Sequence, residues 1–316
     1  MSASSLKFQV RGHSRSFNRV IKRYYWNYIL LLPAVILLIM FSYVPMYGLM
    51  IAFKTYKIKA GIVGILTSPW AGTGNFWFLQ DPYFWQTVRN TLLITIYRLV
   101  ICFPIPILLS IMLNEVRNRA YKRLVQSISY LPYFISWIVV AYMINQLLAV
   151  DSGAVNNILS TMGFERIYFM GEERYFRHIV VFSALWKSMG WGTIIYLAAL
   201  SNVDPQLQEA AFIDGAGRFR RIWHIDMPAI TPTIVIMLIL AVPGILSAGY
   251  DQILPLQNPA NMGVSDVMDI YVIRLGMLQA QYSLSTAMGL MSSIVNLALV
   301  LLTNYVCRAL GQEGLF

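Results

Sequence analysis

Catalysis in this chain would have to be built from very little. The three histidines are His13, His178 and His224, and none has a second ligand or a nucleophile at metal or triad spacing inside an apolar run. His224 stands two residues from Asp226 and reads as half of a surface pair. Cys102 and Cys307 both lie in apolar runs and are too few for a disulfide framework or a thiolate cage. No Gly-x4-Gly-Lys-Ser/Thr segment occurs, so the chain lacks the loop that cradles nucleotide phosphates and cannot power transport alone. Binding chemistry is better supplied. Arg98 and Lys187 interrupt otherwise uncharged runs, and a cation at membrane depth is costly unless it meets water, a partner or a ligand. Each lies about nine residues into its run, ~14 Å deep at 1.5 Å per residue. One reading pairs them with a carboxylate such as Asp251 or lets them snorkel to the interface; the other gives them an anionic solute. Near Lys187 stand Trp186, Trp191 and Tyr196, and Asn145, Gln146 and Tyr250 complete a set suited to sugars. Aromatic faces cover the C–H surfaces of sugar rings, while amides and hydroxyls match their hydroxyl groups. The same aromatics also suit an interfacial belt.

Composition dictates the elements that must hold these residues. Of 316 residues 58% are hydrophobic and 12% charged, whereas soluble domains carry about 25% charged residues. The chain therefore divides into membrane spans of ~20 apolar residues joined by loops. The net charge of +10 fits the Lys/Arg excess of cytoplasmic loops better than a nucleic-acid partner. Charge-poor runs cover 24–53, 90–114, 124–150, 178–203, 227–250 and 275–307, which predicts six spans. The first is too long for a signal-peptide core and has no small-residue cleavage site behind it. The last begins with Gln279, Gln281 and Ser283, so its spanning part is expected over 285–307, after a loop.

Loop cations set the orientation. With the N-terminus inside, that side holds Lys7, Arg11, Arg15, Arg19, Lys22 and Arg23 in the tail, Arg117, Arg119, Lys122 and Arg123 in the second segment, Arg218, Arg220 and Arg221 in the third, and Arg308. The other side holds Lys54, Lys57, Lys59, Arg166, Arg174, Arg177 and Arg274, half as many. Both termini are therefore expected in the cytoplasm. Prolines at 33, 45, 104, 106, 132, 232 and 243 each remove a backbone donor and invite a kink. No internal repeat is present, which argues against an inverted-repeat transporter.

The third inside segment carries a pattern. Asp204 is a suitable N-cap with Pro205 at the first helical position, Glu209-Ala210-Ala211 continue a helix, Asp214-Gly215 end it, and a second helix follows. By itself this would be an interfacial helix with arginines near lipid headgroups. The spacing, however, closely resembles the EAA loop of bacterial ABC importer permeases. Glu209, Ala210, Ala211, Gly215, Ile225 and Pro228 fall at the family positions, with Met227 in place of the usual Leu. In that family the loop forms a coupling helix on a cytoplasmic ATPase, so the resemblance assigns ATPase coupling to Glu209, Ala210, Ala211, Asp214, Gly215 and Ala216. Small side chains allow close approach and Glu209 supplies a charge-assisted anchor.

The segments around Pro33, Phe41 to Lys54, Trp70-Ala-Gly, Asn75-Phe76 and Asn90-Thr-Leu, with the tail Glu313-Gly-Leu-Phe316, resemble the carbohydrate permeases for complex polysaccharides and oligosaccharides, alginate and other uronate importers among them. The resemblance implies an all-α integral membrane protein with the six-helix MetI-like fold of type I ABC importers. It divides the chain into a cytoplasmic tail at 1–26, a permease domain at 27–306 with the coupling loop at 201–232, and a cytoplasmic tail at 307–316. It further implies a multi-pass inner-membrane permease that is not itself an enzyme. Such a permease carries an oligosaccharide, acidic if the two cations serve it, inward by alternating access. The implied partners are a second homologous permease, a dimer of ATPase subunits holding ATP and Mg, an extracytoplasmic solute-binding protein and membrane lipid. No cofactor or metal is expected in this chain. The coupling loop is silent on cargo, so a peptide or amino-acid permease is the alternative within the class, and a channel outside it.

Overall fold

The computed structural model describes residues 24–309 and Gly311. His13, the tail cations and Glu313 to Phe316 lie outside the described residues. Two compact units are distinguished, one ending at Met50 and one beginning at Ile51. Among the described residues the structure is helical, with one isolated bridge between Lys54 and Trp70. The membrane-length helices are α1 (Tyr25–Phe53), α2 (Pro82–Glu115), α5 (Glu173–Ser201), α7 (Arg218–Leu246) and α8 (Tyr282–Ala309). A bent pair, α3 (Arg119–Phe134) and α4 (Trp137–Leu147), is apolar enough to make a sixth passage if it crosses as one span, and α6 (Pro205–Ile213) lies between α5 and α7.

Expectation and structure differ in three places. Residues 124–150 do not form one span: α3 and α4 meet at 99°. Pro132 ends the regular helix, Leu131–Phe134 tighten into a 3-10 turn, and Ile135 and Ser136 are extended before Ser136 caps α4. The segment 275–284 is only partly a loop. Arg274–Leu278 form a π-helical turn, and the break is confined to 279–281 around Ala280, whose φ is 54°. The helix α2 also starts earlier than its uncharged run, at Pro82, because Asp81 caps it through a 2.9 Å bond from the Tyr83 amide.

Within the first unit, α1 carries Pro33 inside and a π-turn at Ile39–Tyr43. In the second unit, α5 is the central element. Phe176 and Val180 pack with Ile94 of α2 and with Ile253, Leu256 and Ile270, while Tyr196 and Leu200 pack with Ile107 and Ile230 at the other end. A further cluster joins Phe78 and Phe84 to Met268, Leu284 and Met288.

A buried ion pair ties the beginning of α2 to the segment before α8. Asp266, 2% exposed, takes both Arg274 guanidinium nitrogens at 3.0 and 2.6 Å and the Tyr83 hydroxyl. Burial alone would lower the Arg274 pKa, but the Asp266 and Tyr83 bonds more than offset it and hold the group above its ordinary value. Removing one partner leaves the other charge buried and unpaired, which costs about 3–5 kcal/mol. Arg274→Met is therefore expected to lower the apparent melting temperature of the solubilised protein strongly, and Arg274→Met with Asp266→Asn to lower it less. Equal losses would show that charge burial is not the cause.

Candidate functional site

The segment that carries Glu209-Ala210-Ala211 and Gly215 forms as a helix, a break and a second helix. Asp204 Oδ1 caps α6 by accepting from the Gln206 amide at 2.9 Å, with Pro205 at the first position. The helix closes where the Ala216 amide bonds to the Ala211 carbonyl at 2.9 Å and Gly215 turns left-handed at φ 78°. A Cβ at Gly215 would meet nothing within 4 Å. Its glycine is thus required by backbone conformation and not by crowding inside this chain. Arg218–Arg221 then lead through a π-turn at Ile222–Asp226 into the rest of α7.

Two contacts fix α6 and the foot of α7. Gln208 Nε2 donates to the buried Asp226 carboxylate at 2.7 Å, and Arg218 lies 3.8 Å from Glu115 at the end of α2. The expected pair between His224 and Asp226 does not form, since residues two apart on a helix point different ways. His224 Nδ1 instead lies 2.9 Å from the Arg220 carbonyl oxygen. Glu209 is exposed and makes no hydrogen bond or ion pair among the described residues. Around it Leu207, Phe212, Ile213, Phe219 and Trp223 are exposed, Phe219 at 89%. A patch this apolar at a polar loop marks a contact surface.

The membrane cations are handled differently from one another. Lys187 on α5 is 8% exposed, and its Nζ donates to the carbonyl oxygens of Pro132, Tyr133 and Ile135 at 3.4, 2.6 and 2.5 Å. The two short bonds go to the Tyr133 and Ile135 carbonyls at the bend between α3 and α4, while the Pro132 carbonyl also accepts from the Ile135 amide at 3.2 Å. Asp251 is not its partner. Gly190, one turn on, makes the approach possible: a Cβ there would lie 2.1 Å from the Ser129 carbonyl oxygen. Trp191 stacks on Tyr133 at 4.5 Å, and Lys187 Nζ lies 5.4 Å from the Tyr133 ring and 5.3 Å from the Trp137 ring.

Arg98 Nη2 donates to Gln252 Oε1 at 2.8 Å, and Gln252 in turn donates to the Val180 carbonyl and the Ser183 hydroxyl of α5. Its Nε is buried without a hydrogen-bond partner. The side chain lines a cavity of about 310 Å³ with Thr95, Cys102, Gly244 and Ser247.

The residues expected to share one sugar site differ in their surroundings: Arg98 lies against Gly249, next to Tyr250, and the helix Tyr250–Ile253 packs on α4, which carries Asn145 and Gln146. Tyr196, 3% exposed, is core. Trp191 belongs to the bend, and Trp186 is exposed on α5. Asn145 and Gln146 are exposed near the end of α4, and Tyr250 starts the short helix Tyr250–Ile253. His178 lies 2.8 Å from the Tyr97 hydroxyl. Gln252, Gly190 and the Pro132 to Ile135 carbonyls escaped sequence reasoning. Only Pro132 inside an apolar run signalled them.

Replacing Lys187 by Met leaves the Tyr133 and Ile135 carbonyls without their ammonium donor, each charge-assisted bond being worth about 1.5–3 kcal/mol. Lys187→Met is expected to reduce the yield and melting temperature of folded protein, and Gly190→Val to do the same by forcing α5 away from α3. A folded, fully stable Lys187→Met protein would show that the bend does not need its ammonium.

Comparison with known proteins identifies the family and the fold. Residues 103–312 match the family described as binding-protein-dependent transport system inner membrane component. Protein LplB of Bacillus subtilis (strain 168) is 41% identical over 96% of this chain and 95% of its own length. The polygalacturonan/rhamnogalacturonan transport system permease protein YteP of the same organism is 41% identical over 98% of this chain and 95% of its own. Among solved structures, a bacterial ABC transporter involved in the import of the acidic polysaccharide alginate contains a chain that superposes with a TM-score of 0.85 at 38% identity. The match covers 92% of this chain and 98% of that one. With the matched segment spanning α6, the turn at Gly215 and all of α7 and α8, the chain belongs to the inner-membrane permease components of binding-protein-dependent transport systems.

Proposed function

We propose that the chain is one half of the membrane channel of an ATP-driven oligosaccharide importer, with an acidic, uronate-type oligosaccharide as cargo. The observation that carries the importer reading is the α6 segment. Its unpaired Glu209 carboxylate, left-handed Gly215 and exposed Phe212, Ile213 and Phe219 offer a partner both a charge and apolar area at one end of the bundle. In this reading Glu209, Ala210, Ala211, Asp214, Gly215 and Ala216 dock on one subunit of a cytoplasmic ATPase dimer. ATP and Mg sit there, and this chain contributes no catalysis and no cofactor of its own. A second, homologous permease completes the pathway. A solute-binding protein delivers cargo outside, as the complex of a related alginate transporter with a pentasaccharide-bound periplasmic protein supports. Both termini and the 201–232 loop face the cytoplasm, and the segments near Trp70 and Glu172 face outside, by the imbalance of loop cations.

The acidic-cargo reading draws on the relatives that carry polygalacturonan, rhamnogalacturonan and alginate. Inside this chain it falls to Arg98, whose unpartnered Nε borders a cavity, and not to Lys187. Trp186, Asn145, Gln146 and Tyr250 keep side chains exposed for the sugar pathway.

Reconstitution with the partner permease, the ATPase and the binding protein tests the reading. A uronate oligosaccharide is expected to raise ATP hydrolysis several-fold, whereas peptides leave it unchanged; stimulation by peptide alone overturns it. Two substitutions at one site separate folding from docking. Gly215→Ala adds mainly the strain of a left-handed residue, about 1 kcal/mol. Gly215→Trp projects a large side chain into space that is empty in this chain. The tryptophan variant is expected to lose at least about tenfold in transport beyond the alanine variant. Solute affinity of the external binding protein should stay normal. Equal transport by the two variants would remove Gly215 from the docking surface.

A further inference from the structure

At the end of the bundle opposite α6, the helices α2 and α5 and the turn Met262–Ser265 enclose another cavity, of about 440 Å³. Its wall carries Arg89, Arg174, Arg177, Gln86, Asn90 and Glu173. The three guanidiniums are not equally engaged. Arg174 Nε lies 2.6 Å from the Glu172 carboxylate, and its guanidinium sits over the Tyr175 ring. Arg177 donates one bond, to Asn90 Oδ1 at 3.3 Å, and its Nε is buried with no hydrogen-bond partner. Arg89 is exposed and makes no hydrogen bond or ion pair among the described residues. Glu173 is the one carboxylate on the wall and lies against Gly263. Two under-used guanidiniums thus face one carboxylate, and positive charge is left over.

The amides on the wall are largely spent. Asn90 Nδ2 donates to the Gly263 and Asp266 carbonyls at 2.9 and 3.1 Å, and Gln86 Nε2 donates to the Gly263 carbonyl at 3.0 Å. What stays open is therefore two kinds of group: guanidinium donors, and acceptors in the Gln86 side-chain oxygen and the Glu173 carboxylate. A planar guanidinium fork matches the two oxygens of a carboxylate. The acceptors match hydroxyl groups. A uronate sugar holds both on one rigid ring, whereas a lipid phosphodiester brings the anion alone and hydroxyls only where a flexible headgroup adds them, as in phosphatidylglycerol. The volume falls within the range of about 300–1,000 Å³ usual for ligand clefts.

We propose that this cavity is the first docking point of the cargo on the permease, where a sugar carboxylate sits between Arg89 and Arg177 and neighbouring hydroxyls donate to Glu173 and Gln86. The assignment rests on the importer reading above and adds to it where the acidic group binds before it reaches the interior.

The test is direct binding to the assembled importer, without the solute-binding protein, in phosphatidylcholine nanodiscs. Calorimetric titration compares a uronate trisaccharide with its carboxyl-reduced, neutral counterpart. The uronate is expected to bind at least tenfold more tightly than the neutral sugar. Arg89→Gln should weaken it to the neutral level. Arg177→Gln should do the same, and because Arg177 also holds Asn90, the exposed Arg89 decides. Arg166→Gln, which removes an arginine bonded to the Val150 and Asp151 carbonyls, should leave binding unchanged. Absent uronate binding, equal binding of the two sugars, or an unaltered constant in Arg89→Gln overturns the docking point. Loss of uronate binding when phosphatidylglycerol replaces phosphatidylcholine assigns the site to lipid phosphate and overturns it as well. In each of these cases the importer reading stands if uronate still raises ATP hydrolysis by the full complex, and it fails separately if no saccharide does.

Discussion

A backbone carbonyl freed inside a bilayer has no water to turn to, and the bend between α3 and α4 frees several at once. The ammonium of Lys187 answers this demand. It reaches across from α5 to the oxygens of Pro132, Tyr133 and Ile135, and so satisfies on one side the cost of breaking a helix and on the other the cost of burying a cation. Neither group would be tolerable alone. Gly190 lets the helices close to the necessary distance, and the stack of Trp191 on Tyr133 covers the junction. The position of α5 then sets that of α2 and α7, which pack along its two ends.

This arrangement constrains how the permease moves. Opening the bend would break charge-assisted bonds with nothing in the hydrocarbon to replace them, so a change of access carries α3, α4 and α5 together. The prolines of α1 and α7, which leave no lysine-bridged carbonyls, are softer points. The Asp266 and Arg274 pair performs a related service at the opposite end, holding the start of α2 to the segment that precedes α8.

The helical class, the five long spans and the form of the 201–232 segment were legible because they rest on local signals. Uncharged length reports a span, and Asp204-Pro205 and Asp214-Gly215 report where α6 starts and stops. The fate of the buried charges was not legible, because it depends on which groups the fold brings opposite. Arg98 and Lys187 look alike in sequence, yet one meets Gln252 beside a cavity and the other meets main-chain oxygens. Asp251 was the visible carboxylate, but its neighbour Gln252 is the one turned inward. The aromatics grouped near Lys187 separated for the same reason: successive residues on a helix leave in different directions, sending Tyr196 to the core and Trp191 to the bend.

The exposed Phe212, Ile213, Phe219 and Trp223 bear on the life of the chain before it is assembled. Surface of this kind is sticky toward any partly folded neighbour and costs free energy in water until it is covered. An orphan copy of this subunit displays it for as long as it stays alone. Copies on which the patch stays uncovered are therefore prone to self-association and open to quality-control proteases. Coverage of the α6 segment thus becomes a condition of the chain's persistence.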